Sequence, residues 1–290
     1  MLEQALGRPT VAALITCHNR KRQTLACIEQ LRQQEVYGSI VKIFVLDDGS
    51  TDDTGTDIRR LYPDVVVIDG NGQCYWNGGM RVVFAQALAK SFDLYLWLND
   101  DTQLHSDALA RLIATHRKIS ADSDVKAIVV GSTADPSTGC LSYGGWKFVA
   151  GFKRLKFQKV MPDAELTLEC DSMNGNCVLI PHAIAQSLNN LDPVFTHAMG
   201  DIDYGLRARQ NGYRIFVAPG FFGRCAQNLG RGLWTDTSLS AQERWKRLLG
   251  VKGLPPKEWR VFTQRHAGWL WPLYWLNPYL SFWLRIWVRK

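Results

Sequence analysis

Short apolar runs alternate with stretches of helical spacing along the first half of the chain. The runs have the length of buried strands and lie at residues 11–16, 40–46, 65–68, 94–98 and 127–130. Apolar positions recur every three or four residues between them, which predicts helices at residues 20–34, 80–91 and 104–119, and a further helix start near Asp52. This alternation favours an α/β fold, in which a mostly parallel sheet carries helices on both faces.

The alternation ends near Gly139. Residues 143–157 are rich in Gly, Lys and aromatic side chains. Beyond them the pattern predicts a loop that enters a strand at residues 170–180, a helix at 204–211 and a strand at 213–217. We therefore expect one domain over residues 1–240, with halves at about 10–135 and 136–240, and an extension over residues 241–290.

Polar clusters stand where three of the predicted strands end, at residues 16–20, 47–52 and 99–102. In open sheets with mostly parallel strands, ligands bind beyond the carboxyl ends of the strands. The clusters therefore indicate a nucleotide or phosphate site, although position alone does not identify the ligand.

The composition describes a globular protein. The chain has 290 residues, of which 46% are hydrophobic and 21% charged. Its seven cysteines form no Cys-x-x-Cys pair, which argues against a zinc cluster or a disulfide framework and favours a reducing compartment such as the cytoplasm. Glu3, Arg8 and the shortness of the first apolar run predict that the chain has no signal peptide.

The excess positive charge lies at the C-terminal end. Residues 241–290 hold ten Lys and Arg against two Asp and Glu, and seven of the eleven Trp residues. Between Ala267 and Val288 only Arg285 is charged, and Pro272, Asn277 and Pro278 interrupt the apolar run. This pattern favours an interfacial membrane anchor rather than a span. The alternative is a helix that packs on the domain or in an oligomer interface.

Four segments now stand in order along the chain. They are residues 14–20 (LITCHNR), 46–52 (LDDGSTD), 97–102 (WLNDDT) and 200–209 (GDIDYGLRAR). Together they resemble family 2 glycosyltransferases of the GT-A fold, particularly the rhamnosyltransferase-like, bacterial surface-polysaccharide branch, over residues 10 to 228.

The resemblance implies an activity and a place of action. It implies inverting transfer of a hexosyl or deoxyhexosyl group from a UDP- or dTDP-linked sugar to a hydroxyl. The acceptor would be an oligosaccharide or glycolipid, such as a growing, lipid-linked O antigen. The first half of the domain would bind the donor and the second half the acceptor, at the inner face of the cell membrane. The oligomeric state is not implied.

Donor contacts are expected at the first two strand ends. A carboxylate of Asp47 or Asp48 can accept a hydrogen bond from a pyrimidine N–H or a ribose hydroxyl, and the family uses this segment for the nucleoside. The donor contacts at the first strand end would be Thr16, Asn19 and Arg20. The alternative for the acidic segment is a helix N-cap, because Asp and Ser favour that position.

Asn99, Asp100 and Asp101 occupy the place of the family's Asp-x-Asp motif. A divalent cation held there would offset charge on the departing diphosphate, and oxygen ligands suit Mg²⁺ or Mn²⁺. Since Asn99 replaces the first Asp, we expect Asp101 to bind the metal, and Asp100 and Asn99 to contact the donor. The alternative is a polar turn at the strand end.

Residues 76–81 (WNGGMR) follow a Gly- and Asn-rich stretch and precede a predicted helix. Glycines allow a ligand to approach the backbone, and a helix N-terminus favours an anion. We therefore expect the donor to contact Trp76, Asn77, Gly79 and Arg81. A plain turn at residues 70–79 is the alternative.

Asp201 is the expected catalytic base. In the family an Asp of a Glu-Asp pair deprotonates the acceptor hydroxyl, and inverting transfer needs one such base. Gly200 replaces the family's Glu. Asp203 is expected to orient the following helix or to pair with Arg207.

A His that completes the metal site in many family members has no match here. Cys225 stands near its place, and a thiolate is a poor ligand for Mg²⁺. His197 is an alternative ligand, and Arg224 is an alternative source of positive charge.

Three other functions compete with the enzyme. The departures at Asn99, Gly200 and Cys225 would suit a catalytically impaired subunit that binds glycan or membrane. A nucleotidyltransferase would need glycines soon after the first strand, and residues 16–22 (TCHNRKR) lack them. Nucleic-acid binding is poorly supported, because the basic segment is rich in Trp, Leu and Pro.

Overall fold

The computed structural model describes residues 9–36, 38–122, 126–149, 155–227 and 232–287. Parts of the sequence predictions therefore lie outside the described residues: the first eight positions, residues 150–154 of the aromatic stretch, Asn228 and residues 288–290 of the extension.

The first half of the chain forms the expected alternation. Its elements are β1 (Thr10–Cys17), α1 (Lys21–Arg32), β2 (Ile40–Asp47), α2 (Thr54–Leu61), β3 (Val66–Asp69), α3 (Tyr75–Leu88), β4 (Leu94–Leu98), β5 (Gln103–Leu104), α4 (Ala108–Asp122) and β6 (Ala127–Ala134). Strands β4, β1, β2 and β3 lie side by side in that order, and all three pairs are parallel.

The second half adds shorter strands and further helices. They are β7 (Leu141–Tyr143), β8 (Gly145–Phe148), β9 (Phe157–Lys159), β10 (Leu168–Cys170), β11 (Ser172–Met173), β12 (Cys177–Pro181), α5 (His182–Leu188), α6 (Gly200–Gln210), β13 (Arg214–Arg224), α7 (Ala241–Leu249), α8 (Pro256–His266) and α9 (Trp271–Trp287). A short 3₁₀ turn, Gly268–Leu270, links the last two helices.

The central sheet is mixed, with the order β10-β13-β6-β12-β4-β1-β2-β3. Strand β12 is antiparallel to both β4 and β6, so it joins the parallel block at one side to the parallel pair β6 and β13 at the other. Strands β8, β9 and β11 form a separate small sheet. The expected α/β fold, with a mostly parallel sheet flanked by helices, is confirmed.

Two apolar layers cover the two faces of the sheet. In β1, Val11, Ala13 and Ile15 belong to the layer that contains α1 and α4, whereas Ala12 and Leu14 belong to the layer that contains α3 and α5. Successive strand residues point to opposite faces, so a strand covered on both sides is apolar throughout. This burial explains the continuous apolar runs of the sequence.

Three predicted boundaries are wrong. Helix α3 begins at Tyr75, because a side chain from another loop supports its start: the Asp48 carboxylate accepts the Tyr75 N–H at 3.0 Å. Helix α4 begins at Ala108, since Gln103–Leu104 pair with β13 instead. Helix α6 begins at Gly200, so Asp201 lies in its first turn and not in a preceding loop.

The C-terminal helices contact the body of the protein through α8. Phe262 packs with Phe195, Met199 and Leu206, and Glu258 accepts hydrogen bonds from the Thr196 N–H and hydroxyl. Within the described part of the chain, no helix combines the length and the apolar character needed to cross a bilayer. The division at residue 240 stays a prediction.

Candidate active site

The carboxyl ends of β1, β2 and β4 bring the predicted polar clusters to one edge of the sheet. Cys17 is paired with Asp47 across β1 and β2, and β4 runs parallel to β1 on its other side. The loops that follow these strands therefore start side by side, as the sequence pattern requires.

Arg20 joins the first cluster to the third. Its guanidinium lies 3.2 Å from Asp100 Oδ1 and 2.6 Å from Asp101 Oδ2. Burial raises the pKa of Asp100 to about 6, and the charge of Arg20 opposes that rise. The Asp101 side chain is 29% exposed, so one carboxylate of the pair faces the open edge of the sheet.

The Asp47 and Asp48 carboxylates accept hydrogen bonds from backbone N–H groups. Asp47 accepts the N–H groups of Ser50 at 3.1 Å and Gly55 at 2.9 Å, and so supports the start of α2. Asp48 accepts those of Gly72 at 2.9 Å and Tyr75. Both carboxylates therefore hold backbone amides at helix starts, but neither residue is the helix N-cap offered as an alternative, since Asp53 stands at that position in α2 and Cys74 in α3.

Asn99 and Trp76 are in direct contact. The Trp76 indole N–H donates to Asn99 Oδ1 at 2.7 Å, and the Asn99 N–H donates to the Asn176 carbonyl at 3.1 Å. The Trp76 ring also lies against Gly175, where an added Cβ would meet Trp76 Cζ2 at 2.2 Å. This contact places the start of α3 beside the end of β4.

Asp201 is held on both carboxylate oxygens. Oδ2 accepts the Gly175 N–H at 2.9 Å, and Oδ1 accepts the Ile202 N–H at 2.8 Å. Burial raises the pKa of the Asp201 carboxyl above its ordinary value, although these backbone hydrogen bonds work against the rise. The carboxylate is therefore fixed in orientation and more basic than a solvated aspartate.

The segment that connects Asp201 to β4 was missed by sequence reasoning. Gly175 binds Asp201, and the next residue, Asn176, binds both Asn99 and the Cys225 sulfur. Only the run NGN at residues 174–176, just before an apolar strand, could have signalled this role.

Several of the residues predicted to contact the donor also hold the loops and helices of the site together. Asn77 is fully buried and donates to the Asp192 and Phe195 carbonyls. A Cβ on Gly79 would meet Thr16 Oγ1 at 2.1 Å, so this glycine allows α3 to approach β1. Asn19 Oδ1 accepts the Thr51 N–H at 2.7 Å and ties the first two loops together. Arg81 is partly exposed on α3.

Asp203 forms a buried ionic cluster. Arg207 of the same helix lies 2.9 Å away, and Arg265 and His266 of α8 lie at 3.0 and 2.9 Å. Burial raises the pKa of Asp203, but His266 and the two guanidinium groups outweigh it and hold the pKa below its ordinary value. The expected Asp203–Arg207 pair is confirmed, and the contribution of the C-terminal residues was not foreseen.

Cys225 contacts the proposed metal ligand as a thiol. Its Sγ–H donates to Asp101 Oδ1 at 3.4 Å, and burial raises its pKa to about 12. His197 is uncharged at neutral pH, because burial lowers its pKa to about 4, with Lys252 and Arg20 adding to the effect. Arg224 is exposed at the end of β13. The described residues contain no group of three His, Cys, Asp or Glu side chains arranged to hold a metal.

The sequence profile described as "Glycosyltransferase like family 2" matches residues 9–270. The chain belongs to this family. The match includes every candidate residue above and runs through α8, and no curated protein sequence matches the chain.

Solved structures of glycosyltransferases share the fold of this family 2 chain. The mannosyltransferase PcManGT from Pyrobaculum calidifontis, in complex with GDP-Man and Mn²⁺, has a TM-score of 0.56 at 15% identity, over 94% of this chain and 70% of that one. S. aureus TarS has a TM-score of 0.55 at 11% identity, over 90% of this chain and 44% of that one. A TarS fragment, 1-349, in complex with UDP gives 0.53 at 11% identity, over 88% and 70%.

Proposed function

We propose that the protein is an inverting glycosyltransferase that moves one sugar from a UDP- or dTDP-linked donor to a hydroxyl of a growing, lipid-linked bacterial surface glycan. The observation that carries the proposal is the Asp201 carboxylate, fixed by Gly175 and Ile202, in a family 2 chain. The Gly175–Asn176 segment links this carboxylate to the Asn99 strand end, where the donor is expected.

Asp201 would act as the general base. A base within hydrogen-bonding reach of the acceptor hydroxyl takes its proton as the new bond forms. Its raised pKa strengthens it for this task, because a carboxylate with a higher pKa is the better proton acceptor. Two backbone amides keep the carboxylate in one orientation, which reduces the cost of positioning it for each turnover.

Arg20, Asp100 and Trp76 would surround the donor. Arg20 carries the positive charge nearest to the Asp100–Asp101 pair, so it suits the diphosphate that leaves with the nucleoside. Asp100 would accept a hydrogen bond from the ribose. Asp48 supports the start of α3. The free lone pairs of its carboxylate would face the nucleobase of the donor.

A divalent cation would supply further positive charge at the leaving diphosphate. Mg²⁺ in such sites is commonly held by one or two carboxylates together with substrate phosphates, not by a cage built from protein alone. The exposed edge of Asp101 fits such a shared site, with Mn²⁺ as the alternative metal. The neutral Cys225 thiol does not fit as a ligand.

The acceptor and the site of action belong to the same proposal. The extension over residues 241–290 would hold the enzyme at the inner face of the cell membrane, where a lipid-linked acceptor is reached. The sugar would be a hexose or deoxyhexose such as rhamnose, and the product an O-antigen-type glycan.

Titration calorimetry with UDP, dTDP and GDP, each with and without Mn²⁺, tests the proposal. Wild type should bind one of the first two nucleotides more tightly with Mn²⁺, and Asp101→Ala should lose the metal dependence. Wild type that binds no nucleotide at all would overturn the transferase assignment.

A catalytically impaired binding subunit is the second candidate. Arg20 already forms ion pairs with Asp100 and Asp101, and Cys225, which stands near the place where the family resemblance leads us to expect a His, contacts Asp101. This candidate predicts glycan or membrane binding with neither sugar transfer nor slow hydrolysis of the sugar donor.

A further inference from the structure

One side of α9 is apolar and faces away from the protein. Its large side chains are between 39% and 77% exposed and are Leu273, Leu276, Leu280, Trp283, Leu284 and Trp287, which we call the α9 stripe. At 3.6 residues per turn these six positions fall within an arc of about 100°. Isolated exposed leucines are common, but a continuous row on one helix face marks a binding surface.

The opposite side of α9 is fixed to the two helices before it. The Trp259 indole N–H donates to the Tyr274 carbonyl at 3.2 Å, and the Trp275 N–H donates to the Pro256 carbonyl at 3.0 Å. The Tyr279 hydroxyl donates to the Leu254 carbonyl at 2.8 Å. The packing of the helix therefore holds the α9 stripe outward, and Trp283 is the stripe residue whose ring contacts α7, 5.2 Å from the Trp245 ring.

A cavity of about 330 Å³ opens beside the stripe, between α9 and the segment that leads into α7. It is lined by Trp234, Phe282 and Ile286 on its apolar side and by Arg244 and Arg285 among its polar groups, with no acidic residue in the lining. Arg244 is held in place, since its Nε donates to the Trp234 carbonyl at 3.0 Å and its guanidinium lies over the Phe282 ring. No ion pair to Arg285 occurs among the described residues.

The two acidic residues of the extension already have hydrogen-bond partners. Glu243 closes a capping box with Ser240, and Glu258 is buried against Thr196. Of the ten Lys and Arg of residues 241–290, Arg265 pairs with Asp192 and Asp203 of the body, and no acidic residue lines the cavity beside Arg244 and Arg285. Apolar side chains flanked by unpaired cations are the composition of a helix that lies on an anionic bilayer.

We propose that the α9 stripe inserts into the headgroup region of an anionic membrane and that the Arg244–Arg285 cavity holds the phosphate of one lipid. This inference rests on the membrane position proposed above, but not on the catalytic chemistry. The cavity has the volume of a small-ligand site. Its two guanidinium groups suit a phosphate, and its Phe282 and Ile286 side suits the start of an acyl chain.

A second copy of the chain is the less suitable occupant. Two copies that met through their stripes would bring two segments of net charge +8 together, and like charges repel. An anionic lipid surface has the opposite charge and contacts the Trp side chains at the depth they favour.

Vesicle co-sedimentation of the full chain tests the inference. Wild type should bind vesicles of phosphatidylcholine that contain phosphatidylglycerol, and should bind pure phosphatidylcholine vesicles more weakly. The double variant Leu280→Glu, Leu284→Glu should bind the anionic vesicles with a partition coefficient at least about tenfold lower than that of wild type. Leu166→Glu is the matched control, because Leu166 is similarly exposed elsewhere on the surface.

The headgroup site has its own test. Arg285→Glu should weaken binding to the anionic vesicles about tenfold and leave binding to neutral vesicles unchanged. Arg117→Glu, an equal charge reversal at an exposed position of α4, should have no such selective effect. Inorganic phosphate should not release wild type from the vesicles, since it lacks the acyl chain.

Three outcomes would overturn the inference. One is equal vesicle binding by wild type and the double stripe variant. The second is an equal loss for Arg285→Glu and Arg117→Glu. The third is a wild-type dimer, measured by sedimentation, that the stripe variant converts to a monomer while neither binds vesicles. Nucleotide calorimetry on the same variants should match wild type, so a failure here is distinguishable from a failure of the transferase assignment.

Discussion

Asn77 fills the space beside Gly200 that a side chain would need. A Cβ added at Gly200 would lie 1.7 Å from Asn77 Oδ1, and the Asn77 amide is fixed by hydrogen bonds to the Asp192 and Phe195 carbonyls. A side chain at position 200, such as the Glu that the family resemblance leads us to expect, would not fit beside Asn77 as it is arranged here. Glycine at this position and Asn77 on α3 depend on each other.

This dependence predicts that Gly200→Ala destabilises the protein by about 1–3 kcal/mol, because the added methyl group overpacks a buried contact. Asn77→Ala also destabilises it, since two buried carbonyls lose their donor. The double variant should lose less than the sum of the two single losses, as residues in contact are not additive. Urea denaturation of the four proteins measures the coupling, and strict additivity would contradict it.

The proposed base gives a second prediction. Asp201→Asn should lower kcat for sugar transfer by about 10²–10⁴-fold, because the amide accepts no proton at neutral pH. Donor affinity by calorimetry should stay within about twofold, since Asp201 is not expected to contact the nucleotide. Asp163→Asn, a change at a surface carboxylate held by local backbone amides, is the control. Near-normal turnover of Asp201→Asn would remove this residue as the base.

A third prediction concerns pH. Burial raises the pKa of Asp201, and the base works only when it is deprotonated. The value of kcat/KM should therefore fall as pH decreases through a pKa above the ordinary aspartate range, and should be flat above it. Asp100 also titrates, at about 6, so the profile is compared in Asp100→Asn. The fall should persist in that variant, and its disappearance would assign the fall to Asp100.

Much of the fold could be predicted from the sequence, because burial on both sheet faces makes the strands continuously apolar, as in β1 and β4.

Less of the site could be predicted. The roles of Asp47 and Asp48 depend on which backbone N–H groups come near them, and the support that Asp48 gives to Tyr75 crosses 27 positions of sequence. The contacts of Gly175, Asn176 and Cys225 likewise arise where β12 and β13 reach the site, and local periodicity carries no signal for such contacts.

The C-terminal helices show the same limit. The charge and Trp content of residues 241–290 indicated an unusual surface, but no sequence pattern indicated that Arg265 and His266 turn inward to Asp203. Both residues look like ordinary members of a basic tail. Their role depends on α8 reaching α6, a tertiary contact.

A last prediction follows from that contact. Asp203 is fully buried among Arg207, Arg265 and His266, so Asp203→Ala would leave Arg207 and the buried His266 without their carboxylate, while Arg265 would keep Asp192. We expect a loss of about 3–5 kcal/mol in the free energy of unfolding. Asp64→Ala removes an exposed pair with Arg32 and should cost about 1 kcal/mol or less.

The pH dependence of stability identifies the cluster further. Its partners hold the folded pKa of Asp203 below the unfolded value, so the stabilisation is present above the unfolded pKa and is lost as pH falls through the folded one. Thermal unfolding of wild type should therefore weaken over this acidic range more than that of Asp203→Ala. If Asp203→Ala unfolds like Asp64→Ala at neutral pH, the cluster does not hold α8 against the helix that carries Asp201.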